Sequence, residues 1–229
     1  LTESIHRLYA AGMYVTAGFI VGFDSEKASV ADAMVDFIED AAIPMAMVGM
    51  LYALPNTQLT RRLEKEGRLH PSHDRWVKET GDHCTFGLNY DTLRPERDIL
   101  CDYRSILQRL YDPSAYAARL ERLATLLDCS GRPELAPGDR RRDLFSFEFA
   151  HSVLSRLPEA REIFWKVFKD CRGRNPGAVR HILALMTLYV HLGPFSRFVT
   201  KEIDRRIAAI DRLALELATA RPEAAAVSA

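Results

Sequence analysis

The chain has 229 residues, of which 48% are hydrophobic and 27% are charged, a composition typical of a folded globular domain. Lys plus Arg and Asp plus Glu both number 31, so the net charge is zero, whereas a nucleic-acid-binding domain usually carries a basic excess. The most apolar runs, 43–54 and 182–192, are shorter than the roughly 18 residues that a membrane span needs. These features predict neither nucleic-acid binding nor a transmembrane segment.

The four cysteines, Cys84, Cys101, Cys129 and Cys171, are far apart in the sequence. They form no Cys-x-x-Cys pair and no short iron–sulfur run, and a disulfide framework is not expected in a chain this long with so few cysteines. They are therefore interpreted as separate reduced thiols of a cytoplasmic protein.

The first third of the chain alternates helical and strand patterns. Residues 4–11 predict the end of a helix, and the apolar run 15–23 predicts a strand buried on both faces. A helix up to Pro44 and a second strand at 45–54, rich in Met expected in the core, follow. A last helix closed by Gly67 completes about two right-handed βαβ units, too few to close an eight-stranded barrel.

The sequence from Pro95 onward is helical in pattern. Asp112 and Pro113 suit the N-cap and first position of a helix. A connector at 130–142 is followed by predicted helices at 144–171, 178–192 and 195–217, the last two separated by Gly193-Pro194. His181 and His191, in apolar helical sequence, are interpreted as paired core histidines.

Two strand segments resemble radical S-adenosylmethionine (SAM) enzymes. Residues 18–24, GFIVGFD, are similar to the fifth-strand motif Gly-x-Ile-x-Gly-x-x-Glu, and residues 44–59, PMAMVGMLYALPNTQL, are similar to the sixth strand and its turn. The second segment looks most like members with an N-terminal cobalamin-binding domain. The helical remainder, with Tyr111-Asp112-Pro113 and Tyr116, resembles the helical domain of unknown function appended to that subgroup.

The resemblance implies an α/β part followed by an all-α part. Residues 1–70 would be the last βα units of a partial TIM-like radical SAM barrel, 71–94 an irregular connector, 95–220 the appended helical domain and 221–229 a disordered tail. The reactive face of such a barrel is the carboxyl end of its strands. By this resemblance the residues expected to line the adenine site of SAM are Gly18, Ile20, Gly22, Ala53 and Leu54.

The chain departs from the family pattern in three places. The Glu of the strand motif would fall at Ser25, with Glu26 one position later, so no role is transferred to either residue. The usual Pro-Gly-Thr turn is Pro55-Asn56-Thr57 here, which is tolerable because Asn adopts positive φ more easily than other non-glycine residues. Neither the Cys-x-x-x-Cys-x-x-Cys loop that holds a [4Fe–4S] cluster nor the Asp-x-His-x-x-Gly pattern of a cobalamin domain is present.

The implied cofactors are therefore SAM, partly held here, and a [4Fe–4S] cluster and cobalamin whose ligands would lie in an upstream barrel and cobalamin domain of the same protein. The parent protein would be a radical SAM enzyme, with methyl transfer as one outcome, whereas this chain alone is expected to be inert. Some relatives act on polycyclic lipids such as hopanoids, so a lipid-like substrate is an expectation from analogy only.

Several alternatives remain open. An alternative to the radical SAM interpretation is that the helical part is a lipid- or protein-binding module on a small α/β layer. A less favoured one is that the two strands are the core of another α/β protein. A zinc site is conceivable in the polar segment that contains His70, His73, Asp74, Asp82, His83 and Cys84, although its spacing matches no standard site. A Rossmann site is disfavoured because Gly18 and Gly22 are not in a G-x-G-x-x-G loop. Arg140–Arg142 suits a solvated linker better than a phosphate or membrane contact.

Overall fold

A computed structural model describes residues 1–71, 84–85, 87–130 and 137–226. Two strands, β1 (Thr16–Val21) and β2 (Met45–Met50), form a small parallel sheet. The helices, in chain order, are α1 (Thr2–Ala10), α2 (Ala31–Asp40), α3 (Gln58–Lys65), α4 (Glu96–Leu110), α5 (Pro113–Leu126), α6 (Pro137–Leu154), α7 (Pro158–Arg174) and α8 (Val179–Ala226). The expected order of a small α/β part followed by helices is thereby confirmed.

The residues group into two compact units. The first comprises Leu1–Phe19, Ala31–Met47 and Ile106–Arg197, and the second comprises Ile20–Val30, Val48–Ser105 and Phe198–Ala229.

The core of the first unit is aromatic. Tyr116 of α5, Phe164 of α7 and Tyr189 of α8 are fully buried, and their ring centroids lie 4.9 to 5.9 Å apart. The Tyr116 hydroxyl donates to the Leu185 carbonyl at 2.9 Å, so this polar group is satisfied inside the core. Asp112 accepts hydrogen bonds from the backbone of Ser114 and Ala115, as the predicted N-cap of α5 requires.

Tyrosine hydroxyls cover the carbonyls of β2. In the first unit, Tyr111 donates to the Ala46 carbonyl at 2.7 Å. In the second unit, Tyr103 donates to the Val48 carbonyl at 3.2 Å. Both tyrosines are buried. Side chains thus satisfy strand groups that another strand would otherwise pair, which is one way of protecting the edge of a sheet.

The expectation that β1 is buried on both faces is wrong. Along β1 the exposed residues alternate with less exposed ones, and Ile20 is 48% exposed. Since successive strand residues point to opposite faces, one face of β1 is uncovered. Met47 of β2 is 60% exposed as well, whereas Met50 is buried as predicted for the Met cluster.

The predicted break at Gly193-Pro194 does not occur. Residues Val179–Ala226 form one helix that runs through both residues. Pro194 lacks an N–H and usually breaks a helix interior, but here the apolar face of the helix continues on either side, with Tyr189 and Val199 both buried. Packing along this face therefore outweighs the local preference of Gly and Pro to end a helix.

Two smaller expectations also change. The predicted connector 130–142 ends early because α6 begins at Pro137, a residue suited to the first turn of a helix. Arg141 is consequently an exposed helical residue and not part of a linker. His191 is exposed and stacks on Phe195 at 5.4 Å, because it lies on the face of α8 turned away from the buried Tyr189.

One stretch within the described residues, 176–219, is long and apolar enough to qualify as a membrane span. Its most apolar window is 44% buried inside the protein, and Ile182, Leu185 and Met186 are core residues. The core helix of a globular protein meets the same length and composition test, so this helix by itself is weak evidence for a span.

Candidate functional site

The carboxyl ends of the two strands meet in the second unit. The Leu51 N–H donates to the Val21 carbonyl at 2.8 Å, so the strands remain paired where they end. In parallel α/β folds this end of the strands is where ligands bind. The loops that follow β1 and β2 are therefore the candidate ligand-binding site.

The loop after β1 is folded around Glu26. The Glu26 carboxylate accepts hydrogen bonds from the backbone N–H of Gly22 at 3.0 Å and of Phe23 at 3.1 Å. Gly22 has a φ of 104°, and a Cβ there would lie 2.6 Å from the side chain of Leu88. Only glycine fits this position without strain, and Glu26 holds the turn that it makes possible.

The segment 87–90 fastens both strand ends. The Asn89 side chain accepts from the Ala53 N–H at 2.8 Å and donates to the Ala53 carbonyl at 3.2 Å, in the manner of a neighbouring strand. The Tyr90 hydroxyl donates to the Gly22 carbonyl at 2.7 Å. Gly87 packs so closely on Met50 that a Cβ would lie 2.2 Å from the Met50 Cβ. The backbone at the ends of β1 and β2 is consequently held in place by side chains.

The turn after β2 forms as predicted. Asn56 adopts a φ of 64°, the positive φ that the sequence required of it. Thr57 donates its hydroxyl to the Leu54 carbonyl at 2.9 Å and caps α3 by accepting from the Thr60 N–H at 3.2 Å. An asparagine therefore serves where the family usually has glycine.

Charged residues support the loop after β1. Asp24 accepts two hydrogen bonds from the Arg68 guanidinium, at 2.7 and 3.0 Å, and one from Arg62 at 2.7 Å. The hydrogen bonds from Arg68 hold the pKa of Asp24 below its ordinary value. Arg68 also lies over the ring of Tyr90, 5.7 Å from its centroid, so one arginine contacts both the loop and the 87–90 segment.

Four of the five predicted adenine-site residues fall into two groups, and Gly18 stands apart from them. Ile20 and Leu54 are each 48% exposed and can contact a ligand directly, whereas Ala53 and Gly22 are buried and shape the backbone. Gly18 is exposed two residues before Ile20, on the same face of β1, but belongs to the first unit. Of the five predicted residues, Ile20, Gly22, Ala53 and Leu54 therefore lie together in the second unit.

The cysteines of the chain do not suit an iron–sulfur cluster. None of the four is in a disulfide, and Cys84 and Cys101 belong to the second unit whereas Cys129 and Cys171 belong to the first. Among the described residues, no three His, Cys, Asp or Glu side chains are grouped so that they could hold a metal ion. His73, Asp74, Asp82 and His83 of the zinc hypothesis lie outside the described residues, and His70 contacts Asp91 at 3.2 Å.

Comparison with known proteins places the chain in a family. Residues 57–205 match the domain of unknown function DUF4070. The chain belongs to the DUF4070 family. This family is associated with B12-binding radical SAM proteins, which confirms that the chain is the C-terminal part of a protein of this kind. No solved structure matches the chain.

Two curated relatives extend the match beyond the DUF4070 domain. An uncharacterized methyltransferase of Synechocystis sp. is 31% identical over 210 residues, which cover 90% of this chain and 38% of the relative. The hopanoid C-2 methylase of Rhodopseudomonas palustris is 24% identical over 202 residues, 86% of this chain and 36% of the relative. The chain thus spans little more than a third of these relatives, both of which are named as methyl-transferring enzymes.

Sequence reasoning missed the residues that hold this site together. Glu26 was given no role because it is one position away from the family's Glu, although its carboxylate binds Gly22 and Phe23. Asn89, Tyr90 and Arg68 lie far along the chain from both strands, in or beside a segment of irregular pattern. Arg68 and Asn89 each adjoin a leucine, and Tyr90 lies between Asn89 and Asp91. Such local patterns are too common to select these residues.

Proposed function

We propose that this chain forms one rim of the SAM site in a cytoplasmic, cobalamin-dependent radical SAM methylase. The observation that carries the proposal is the pair Ile20 and Leu54. Both are large apolar side chains, each 48% exposed at the end of one of two paired parallel strands. Apolar side chains left open at this end of a parallel sheet favour a flat, partly apolar ligand such as adenine.

The residues around this pair would act by preorganisation. Glu26, Tyr90 and Asn89 fix the backbone of Gly22 and Ala53 before any ligand arrives, so little ordering entropy remains to be lost on binding. Packing of one aliphatic side chain on a ring contributes about 1 to 2 kcal/mol. The role of this chain is to bind and orient SAM. The cluster and cobalamin would be held by other parts of the protein, and no step through them is assigned to these residues.

The substrate proposed for the whole protein is lipid-like, and its partner in assembly is the remainder of the same polypeptide. The name of the R. palustris relative supports a lipid substrate. The second candidate function is a lipid- or protein-binding module without catalysis of its own. An apolar cavity in the first unit favours a ligand-binding role of the helical part, both in a methylase and in a module without catalysis.

The test uses the complete protein that contains this chain, reconstituted anaerobically with iron and sulfide. Ile20→Asp and Leu54→Asp place a charge where the adenine ring would pack, and each is expected to weaken SAM binding at least tenfold, a loss of about 1.4 kcal/mol. Leu93→Asp is the matched control, because Leu93 is 64% exposed in the same unit but belongs to neither strand nor the loop that follows it.

SAM affinity is measured by calorimetry and SAM cleavage by chromatography. If Ile20→Asp and Leu54→Asp bind and cleave SAM as well as Leu93→Asp does, the rim assignment is wrong. If the intact protein neither binds nor cleaves SAM, the proposed function itself fails.

A further inference from the structure

A large apolar cavity lies in the first unit, between α6, α7 and α8. Its volume is about 1070 Å³, at the upper end of the range of roughly 300 to 1000 Å³ for small-molecule sites. Its walls include Phe145, Phe147 and Phe149 of α6, Phe168 of α7, and Leu183 and Leu188 of α8. It is therefore large enough for a hydrocarbon body and is lined chiefly by aromatic and aliphatic groups.

The helices expose large apolar side chains toward this cavity. Phe145 is 69% exposed and Phe149 is 51% exposed, and both line it, as does Leu188 at 42%. Exposed apolar groups that are contiguous, in contrast to isolated ones, commonly mark a binding site. On α8 the cavity residues Ala184, Leu188 and His191 are exposed, whereas Met186 and Tyr189 on the opposite side are in the core.

One wall of the cavity is braced by stacked aromatic rings. Phe147 lies 5.6 Å from Trp165 and 5.4 Å from Phe168, measured between ring centroids, and Trp165 contacts Phe168 edge to face at 5.4 Å. Such pairs contribute beyond the area they bury. The wall is consequently held in shape without a ligand, as expected of a preformed pocket.

The polar groups of the cavity restrict what it can take. Its described lining contains no Asp or Glu, and its polar side chains include Ser146 of α6 and Arg180, Thr187 and His191 of α8. The Thr187 hydroxyl donates to the Leu183 carbonyl at 2.9 Å. The Arg180 guanidinium favours a neutral or anionic polar end on the ligand and disfavours a cation, and the Thr187 hydroxyl can accept a hydrogen bond from a neutral polar end. The remaining lining favours a hydrocarbon body.

We infer that this cavity is a binding site for a single lipid molecule with a hydrocarbon body and one neutral or anionic polar end. The inference rests on the ligand-binding role proposed for the helical part and is independent of the SAM rim. A concave, aromatic-walled space of this volume suits a small molecule better than a protein partner, which would bury a broad surface of about 800 Å² on each side. The polar end would lie toward Arg180 and Thr187.

The experiment uses the complete protein carrying Trp76→Phe, which leaves Trp165 as the only tryptophan of this chain. cis-Parinaric acid is titrated as a fluorescent anionic probe, and energy transfer from Trp165 reports its proximity, with a variant that also carries Trp165→Phe used to subtract other tryptophans. Palmitate and squalene are then added as competitors. Displacement by palmitate indicates an acyl chain with a head group, and displacement by squalene indicates a neutral polyprenoid body.

Ala184→Phe fills the cavity, and Ala208→Phe is the matched control, because both alanines are exposed on α8 and only Ala184 lines the cavity. We expect saturable binding with energy transfer, weakened at least tenfold by Ala184→Phe and unchanged by Ala208→Phe, with SAM cleavage unaffected by either. The inference would be overturned if the probe did not bind saturably, or if it bound without energy transfer from Trp165. It would also be overturned if the two variants bound the probe with equal affinity. If the unsubstituted protein neither bound nor cleaved SAM, the proposed SAM-dependent function would fail, but the lipid-binding inference would still stand on the titration.

Discussion

At the scale of single residues, Asp24 and Arg68 make the stability of the second unit depend on pH. The hydrogen bonds from Arg68 lower the pKa of Asp24 from its ordinary value of 3.8. A carboxyl with a lowered pKa contributes stability that is complete above the ordinary value and is lost as the pH falls through the folded value. Both side chains are under 20% exposed, so the pair is only weakly screened by solvent.

Arg68→Met is therefore expected to lower the free energy of unfolding by about 1 to 3 kcal/mol at pH 7, the usual size for hydrogen bonds to charged groups. The difference from the unsubstituted protein should shrink below pH 4, where protonation of Asp24 removes the same interaction. Arg62→Met is the control: Arg62 meets the same carboxylate but is 51% exposed, so its effect should be smaller. Thermal unfolding between pH 3 and 7 measures the stability of both variants. If the effect of Arg68→Met does not depend on pH, the Asp24–Arg68 pair is not the source of the pH dependence.

Glu26 is the residue expected to hold the loop after β1. Glu26→Ala leaves the N–H groups of Gly22 and Phe23 without this acceptor, which should cost about 1 to 2 kcal/mol of local stability. Glu26→Gln keeps an acceptor oxygen and should recover much of that loss. Hydrogen exchange of residues 20–30, followed by mass spectrometry, measures the opening of the loop.

The exposed Glu64 of α3 provides the control as Glu64→Ala. If Glu26→Ala exchanges no faster than Glu64→Ala, the loop is held by other contacts. A tenfold loss of SAM affinity in Glu26→Ala, restored in part by Glu26→Gln, would in addition support the rim proposal.

Features of the candidate site that depend on neighbouring residues could be predicted from the sequence, whereas contacts between distant residues could not. Gly22, and the turn at Asn56, were predictable because a required positive φ depends on the residue itself and its neighbours. The pairing of Asn89 with Ala53 joins residues 36 positions apart, and no local pattern encodes such a partner. The residues proposed to contact a ligand were therefore recognisable from the motif, whereas the residues that hold their backbone in place were not.

At the scale of elements, substitution of two helical glycines by alanine is expected to change stability in opposite directions. A Cβ on Gly193 of α8 would lie 2.8 Å from the ring of Tyr189, whose buried hydroxyl donates to the Tyr111 carbonyl at 2.7 Å. A Cβ on Gly173 of α7 meets nothing within 4 Å. Gly193→Ala should therefore destabilise the protein by about 1 to 3 kcal/mol through overpacking, and Gly173→Ala should stabilise it by about 0.5 to 1 kcal/mol.

Thermal unfolding of the two variants gives the comparison, with about 2 to 4 °C expected per kcal/mol at this chain length. Equal shifts in the melting temperature would mean that the Tyr189 contact does not determine the outcome. The same contact explains why α8 could not be predicted as one helix: Gly193 and Pro194 are locally unfavourable in a helix, and only the buried face that includes Tyr189 and Val199 outweighs them.

At the scale of the whole molecule, the α/β beginning and helical remainder were predictable because apolar periodicity reports secondary structure directly. The uncovered face of β1 was not, since the continuous apolar run 15–23 has the composition of a strand buried on both faces. That run is explained if the exposed face is enclosed in the complete protein by the rest of a βα barrel, inside which Ile20 would face the proposed SAM site. In that case the sequence of β1 would reflect its burial in the complete protein and not in this chain alone.

The last prediction follows from that uncovered face. Expressed alone, residues 1–229 should associate, because Ile20, Met47 and Leu54 remain exposed and β1 pairs only with β2 in the described part of the chain, leaving a free strand edge. Light scattering after size-exclusion chromatography should show species larger than 25.9 kDa. The isolated chain should also fail to cleave SAM after treatment with iron and sulfide, since its cysteines provide no cluster site among the described residues.

The complete protein, purified in the same buffer, is the control for this association. It is expected to show less association at equal concentration, because the barrel would enclose Ile20 and pair the free edge of β1. A monodisperse isolated chain that unfolds cooperatively would show that the apolar face of β1 is tolerated in water, and the argument that a barrel encloses it would then fail.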